Sequence, residues 1–433
     1  MPYRILMIAP TSFFGDYGCH VRILEETLAL QALGHRVRIV TYPRGRDLPN
    51  IEIERTMPIP WRVKYEVGSS RHKVGLDIFL TSRVLRAARR FKPDIIHGHL
   101  HEGALLGWLA ARVFNKPLVF DFQGSLTSEM VDHHFLNPRG ILYKPLRWLE
   151  GWIDRQPTYV FTSAAYQANL LTNEYGVAPS RIVHIPDAVN PEWFRPWSDR
   201  EREEFRTKKF QLKADTLGID PYRPVVVYLG LLADYQGVGL LLDTAKRVLE
   251  HGTDAHFVIM GYPGAEKYIT RTRAMDIADR VIFPGRIAYE DIARWLAIGN
   301  VAVAPKLSQT EGNGKILNYM ASGLPVVAFD TPVSRDYLGD DGVYAPIGDV
   351  DALACGIESL LADRAAAQAL GKRLRARAIE KFSWDASARK IEIAYNSILK
   401  MPRVLDPKGY APENGAKNPS SLENALDKTE RLC

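Results

Sequence analysis

The residues with the clearest chemistry lie in Glu311–Gly323, EGNGKILNYMASG, where a carboxylate, an amide, Gly312, Gly314 and a lysine precede an apolar run at helical spacing, Ile316, Leu317 and Met320. Gly323 stops that run, and Pro325 separates it from the strand-like Val326–Phe329, so the stretch reads as loop, helix, turn and buried strand. Such a loop turns free backbone N–H groups at a helix start into a cleft, with Gly312 and Gly314 letting an anion approach. A cation at Lys315 opposes the helix dipole by about 0.3–1 kcal/mol unless an anion sits beside it. Lys315 therefore reads either as the partner of a phosphate or as a solvated lysine on a surface helix.

The rest of the chain must position this loop. With 433 residues, 46% hydrophobic and 24% charged, it has material for two domains of about 200 residues. Cys19, Cys355 and Cys433 are far apart and lack metal-ligand spacing, which argues against a disulfide framework or zinc site and for a reducing compartment, the cytoplasm. The opening MPYRILMIAP looks like a first strand rather than a signal peptide, and no apolar run reaches membrane-spanning length. A net charge of +6 is mild for this size and does not imply nucleic acid.

In order, Ile5–Ala9, Val37–Tyr42, Ile95–His99, Leu118–Phe122, Tyr159–Thr162 and Ile182–Pro186 read as strands, with helical patterns at Gly18–Leu33, Leu76–Phe91, His101–Phe114 and Ser163–Tyr175 between them. That rhythm predicts an α/β parallel-sheet domain over 1–196, with a helix-rich insertion near Ile141–Asp154. Residues 197–224 turn charged and read as a linker; 225–382 repeat the rhythm; 383–400 form a last helix that could cross back to the first domain; and 401–433 read as a disordered tail. Two open parallel sheets in tandem place a ligand at the carboxyl ends of their strands, in a cleft that the two Rossmann-like domains face.

The ligand follows partly by exclusion. Neither APTSFFGDYG nor GLLADYQGVG supplies the G-x-G-x-x-G of a nicotinamide dinucleotide site, and no Walker A sequence is present. A phosphate-bearing ligand at the loop before Lys315 is what the motifs leave.

The chain resembles, over about Arg4 to Lys400, the retaining GT-B glycosyltransferases of the glycosyl transferase group 1 class, family four. The fragments that carry the likeness are Gly18 and Gly34-His35, PDIIHGH at Pro93–His99, IPDAVNPEWFRP at Ile185–Pro196, VVYLG at Val226–Gly230, VIFPGRI at Val281–Ile287, the Glu311–Asp330 stretch, and FSW at Phe382–Trp384. The resemblance implies transfer of a hexose from a UDP- or GDP-sugar to a lipid, glycan or small-molecule acceptor, with no cofactor and no catalytic metal. It implies a donor site from Gly18, Gly230, Arg286, Lys306, Gly312, Asn313, Gly314, Lys315 and Asn318, with Glu311 and Gln123 as catalytic residues.

Several positions depart from the family pattern. The family's pair of glutamates becomes Glu311 and Asn318, the loop being one residue shorter; Asn318 can still hydrogen-bond a ribose hydroxyl, without the charge that strengthens such a bond. Tyr17 replaces the first loop glycine. Leu231 and Gln236 stand where the family places an arginine and a lysine on the diphosphate, which leaves Lys315, Lys306 and Arg286 as candidate cations. Gln123 stands where a histidine is frequent; it cannot relay a proton but can donate a hydrogen bond. Asp121, His97 and His99 read either as cleft residues or as satisfied structural ones. Asp340-Asp341 lies in a Gly-flanked turn and reads as turn chemistry rather than a metal pair.

Charge concentrates between Trp61 and Lys92, where Arg62, Lys64, Arg71, Lys73, Arg83, Arg86, Arg89, Arg90 and Lys92 face only Glu66 and Asp77. Leu76, Phe79, Leu80, Val84, Ala87 and Phe91 form a helical stripe expected to face the core. The basic face is either simply solvated or a contact for an acceptor or an anionic membrane at the inner leaflet, with Arg62, Lys64, Arg71 and Lys73 in front. Two other functions fit the same architecture: a sugar-nucleotide epimerase and a non-catalytic sugar-nucleotide-binding protein.

Overall fold

The computed structural model describes residues 2–15, 18–58, 73–132, 135–205, 220, 223–308 and 312–400. Contacts divide the chain into two compact units, Met1–Gly15 and Cys19–Pro186 with Asp385 onward, and Asp187–Trp384. The expected boundary at 196 thus falls ten residues earlier in space. The Asp187–Pro196 stretch is claimed by the second unit because the Arg375 guanidinium donates to the carbonyls of Phe194 and Pro191, at 2.8 and 3.0 Å.

In the first unit the apolar runs become β1 (Arg4–Ala9), β2 (Arg36–Thr41), β3 (Glu52–Arg55), β4 (Ile95–His99), β5 (Leu118–Phe122), β6 (Tyr159–Thr162) and β7 (Ile182–His184). They form one sheet in the order β3-β2-β1-β4-β5-β6-β7, every pair parallel. Ile5 to Ala9 are wholly buried, as central strands covered on both faces must be. The second unit repeats the plan with β8 (Val225–Leu229), β9 (His256–Met260), β10 (Val281–Gly285), β11 (Val301–Ala304), β12 (Val326–Phe329) and β13 (Val343–Ala345), in the order β10-β9-β8-β11-β12-β13, again all parallel. Each order reverses direction once, between β1 and β4 and between β8 and β11. That reversal opens a crevice at the strand carboxyl ends.

The Lys73–Phe91 helix buries Leu76, Leu80, Val84, Ala87 and Phe91 against the first sheet. Phe79, expected in that stripe, is instead 39% exposed beside Ile78 at 68%; it lies one residue, about 100° of turn, before Leu80, which takes the core position. The last helix, Trp384–Lys400, belongs to the first unit through Tyr395, Asn396, Ser397 and Glu392, which meet His97, Tyr3, Tyr159 and His35. Among the described residues no helix is long and apolar enough to cross a membrane.

Candidate active site

The crevice of the second sheet is built where the loops after β8 and β11 meet. Gly237, at φ 75°, lies so close to Pro305 that a Cβ would stand 1.8 Å from its carbonyl oxygen, so only glycine fits. The Leu307 N–H donates to the Tyr235 carbonyl at 3.1 Å and ties the loops together. Lys315, first residue of the Lys315–Ala321 helix, reaches into this corner. Its Nζ donates to Gln236 Oε1 at 2.7 Å and to the Tyr228 hydroxyl at 3.3 Å, and stands 4.5 Å from the centroid of the Tyr228 ring. Gly230, at φ 154°, leaves room for it, since a Cβ there would lie 2.8 Å from Lys315 Nζ.

Gln236 is therefore more than the place of a missing cation. It is 6% exposed and fixes the lysine in position, while the ring face of Tyr228 attracts the same ammonium. Neither of these two partners carries a formal charge. Sequence reading missed both because the pairs are separated by 79 and 87 positions.

The remaining donor candidates divide. Lys306 is 5% exposed, so it is no surface lysine, and its Nζ donates to the Gly312 carbonyl at 2.8 Å. Arg286 lies over the Tyr262 ring at 4.9 Å. Asn313 is 3% exposed with Oδ1 unbonded among the described residues, and Asn318 is half-buried. Gly314 is exposed with open space at its Cβ position, whereas a Cβ on Gly312 would sit 2.9 Å from Asp187 Oδ2. Gly312 thus serves packing against Asp187, whose carboxylate also accepts from the Tyr337 hydroxyl at 2.9 Å. The expected free N–H groups at the helix start are partly spent, because Ile316 N–H donates to Asn313 and Leu317 N–H to Gly314 within a tight turn. An anion here would rely on Lys315 more than on the backbone. Glu311 lies outside the described residues. Gly18 opens the Gly18–Ala32 helix after β1 and is exposed.

In the first unit the carboxyl end of β5 carries a buried charge cluster. Asp121 accepts from Arg22 Nε at 2.8 Å and Nη2 at 2.7 Å, both groups being almost fully buried. His99 Nδ1 lies 3.2 Å from the same carboxylate, and Gln123 Nε2 donates to it at 2.9 Å. Burial alone would raise the Asp121 pKa; the Arg22 guanidinium and the His99 hydrogen bond overcome this and hold it well below the usual carboxylate range. Asp121 thus takes the buried alternative, and half-buried Gln123 spends an N–H on it. The second N–H and the acceptor oxygen of the amide are left over.

His97 and His99 stack at 4.6 Å, fully buried, so they are core groups rather than cleft residues, with the Nε2 of each lacking a hydrogen-bond partner among the described residues. His97 Nδ1 meets the Tyr395 hydroxyl at 2.8 Å and Glu26 at 3.1 Å. Burial, then the Asp121 charge, raises Glu26; burial, then His99, lowers His97, and both shifts favour the neutral forms. Beyond them, His101 lies 3.3 Å from Asp154 and 3.6 Å from Glu150. Its pKa is raised to about 9: burial opposes the charge, but Asp154 and Glu150 outweigh it. Glu26, His97 and His99, and likewise His101, Glu150 and Asp154, bring ligand atoms within 4.8 Å of one another and have the donors for a metal ion. Glu150 already accepts the N–H groups of Leu126 and Thr127, at 2.8 and 3.0 Å, at the start of the Leu126–Asp132 helix.

Arg62, Lys64 and Arg71 lie outside the described residues, as does the side chain of Lys73. Among the described basic residues that follow, Arg83 pairs with Glu54 at 3.0 Å, and Arg86, Arg89 and Arg90 are exposed.

Two parallel-sheet α/β units of this order match the architecture of GT-B glycosyltransferases. Residues 223–363 match the profile of the Glycosyl transferases group 1 family and residues 18–193 that of Glycosyltransferase Family 4. The chain belongs to this family of glycosyltransferases. It is 26% identical over 405 residues to a sulfoquinovosyl transferase of Arabidopsis thaliana, covering 90% of this chain and 72% of the relative. It is 26% identical to a phosphatidyl-myo-inositol mannosyltransferase of Mycobacterium leprae, covering 91% and 97%. The structure of a sucrose-phosphate synthase from Thermosynechococcus elongatus shares the fold, with a TM-score of 0.75 at 20% identity over 92% of this chain and 99% of that one.

Proposed function

We propose that this enzyme transfers a hexose from a UDP- or GDP-sugar with retention of anomeric configuration, without a catalytic metal, to a lipid, glycan or small-molecule acceptor. The observation that carries the reading is the position of the Lys315 ammonium, which the contacts with Gln236 and Tyr228 fix at the crevice of the second sheet. A diphosphate leaving group gains negative charge as the glycosidic bond breaks, and a preplaced cation stabilises that charge most. Lys315 supplies the charge the family places at 231 and 236. Asn318 holds the ribose, and Gly230, Arg286, Asn313 and Gly314 line the donor. Gln123 offers its remaining N–H and its amide oxygen to the transferring sugar, in keeping with the donor role expected of it. A lipid acceptor is supported by the Mycobacterium leprae relative, whose name specifies phosphatidylinositol. Such an acceptor is in keeping with a protein that works in the cytoplasm against the inner membrane face.

Incubation with a panel of nucleotide sugars, with and without membrane lipid, followed by mass spectrometry, tests this reading. A glycosylated product with an α linkage from an α donor is expected. An epimerised donor, or bound donor without turnover, would replace it. Excess EDTA should leave the rate within about twofold; a collapse restored by magnesium or manganese would overturn the metal-independent reading.

Lys315→Ala should weaken nucleoside diphosphate binding by about ten- to a hundredfold, as loss of a charged hydrogen bond of about 1.5–3 kcal/mol requires. The free nucleoside should be far less affected. Calorimetric titration of both ligands decides it; equal losses, or none, pass the role to Lys306 or Arg286.

A further inference from the structure

Among the described residues of the first unit, several large apolar side chains are exposed on the Tyr143–Asp154 helix and the turn before it. Ile141 is 92% exposed, Leu142 62% and Trp148 66%, with Phe135 at 43% nearby. The helix is two-faced: Glu150, Gly151, Ile153 and Asp154 are buried, while Lys144, Pro145 and Trp148 point outward. Trp152, one turn after Trp148, meets Trp108 of the neighbouring Leu100–Phe114 helix edge to face at 5.0 Å. The guanidinium of exposed Arg112 lies over the Trp108 ring at 5.6 Å, and Val113 beside it is 58% exposed. The two helices that carry these exposed side chains thus pack on each other through Trp108 and Trp152.

Its charge selects the partner. From Phe135 to Leu149 the chain holds Arg139, Lys144 and Arg147 and no aspartate or glutamate. Arg147 is paired with Glu174, so the cations offered outward are Arg139, Lys144 and Arg112, all exposed. Large apolar side chains ringed by cations, with indole rings at the edge, fit a bilayer surface: the apolar groups enter the headgroup boundary, the indoles take the amphipathic interface and the cations meet anionic headgroups. We propose that this face docks the enzyme on an anionic lipid bilayer. This places a membrane contact on the side of the Tyr143–Asp154 helix, in addition to the one expected at Arg62, Lys64, Arg71 and Lys73. It is independent of the donor reading, because docking is measured without turnover.

The test is flotation of the full chain with vesicles of phosphatidylcholine alone or with about a third phosphatidylglycerol. The wild type should float with the anionic vesicles and progressively less as salt rises, the attraction being screened over about 10 Å at 0.1 M. Ile141→Ser with Leu142→Ser and Trp148→Ser should lower partitioning roughly tenfold or more; these side chains are exposed, and an unchanged circular dichroism melt will show that the fold is kept. Arg139→Glu with Lys144→Glu should abolish the preference for anionic vesicles. The proposal is overturned if the wild type does not float, or if the triple serine variant floats as well as the wild type. It is equally overturned if sedimentation shows a wild-type dimer that the triple variant dissociates, since a second copy would then cover the face.

Discussion

Arg22→Met will destabilise the first unit by about 3–5 kcal/mol, the usual cost of leaving one member of a buried ion pair without its partner. Asp121 is wholly buried and receives two N–H groups from Arg22, which also donates to the Ile185 carbonyl at 3.2 Å. At about 2–4 °C per kcal/mol for a unit of this size, its unfolding transition should fall by roughly 6–20 °C. The pH dependence identifies the cause. In the wild type the Asp121 pKa is depressed. Its contribution is therefore complete above the unfolded carboxylate value of about 3.9 and is lost as pH falls through the lower folded value. In the variant burial acts unopposed by the guanidinium and raises the folded pKa, so the deficit should shrink as pH falls and the carboxyl gains its proton. Arg22→Met combined with Asp121→Leu should recover most of the loss, because the double change leaves no orphaned charge. Calorimetric scans of the three proteins between pH 4 and 7 check this; a deficit independent of pH would point to lost packing alone.

Glu311→Ala is expected to lower kcat by about a hundred- to a thousandfold, or roughly 2.7–4 kcal/mol of transition-state stabilisation, with nucleoside diphosphate affinity nearly unchanged. The residue that follows it is firmly placed: the Gly312 carbonyl accepts from buried Lys306, and Gly312 packs against Asp187 without room for a Cβ. Lys306→Met should then reproduce part of the kcat loss through mispositioning. Steady-state kinetics with calorimetric binding separate the cases, and a fall in affinity matching the fall in kcat would assign Glu311 to nucleotide binding.

The strands of both sheets were legible because a parallel strand buried on both faces is a short, nearly continuous apolar run, as in Ile5–Ala9 and Val225–Leu229. The edge strand Glu52–Arg55 was not, since alternating charges at half-buried positions resemble a loop. Lys315 was legible as a cation in a telling place, but Gln236 was read as an absence, because nothing local reveals which side chain 79 positions later will rest on it. Arg22 was missed for the same reason, lying 99 positions from Asp121 on a helix whose sequence reads as ordinary. The boundary near 186 was hidden because the Pro-rich stretch that follows resembles a domain end, and the arginine that claims Phe194 comes 181 positions later.

The last helix carries a consequence for synthesis. Ile391, Ala394 and Tyr395 are buried in the first unit, with the Tyr395 hydroxyl on His97 and Asn396 on the Tyr3 hydroxyl. The core that begins at β1 is therefore finished by residues translated nearly four hundred codons later, whereas Asp187–Trp384 is almost contiguous along the chain. On the ribosome the second unit has all its strands before the first has its closing piece, so the nascent first sheet waits with His97 and Tyr3 uncovered until the tunnel releases residue 400. The unit made first is the one completed last.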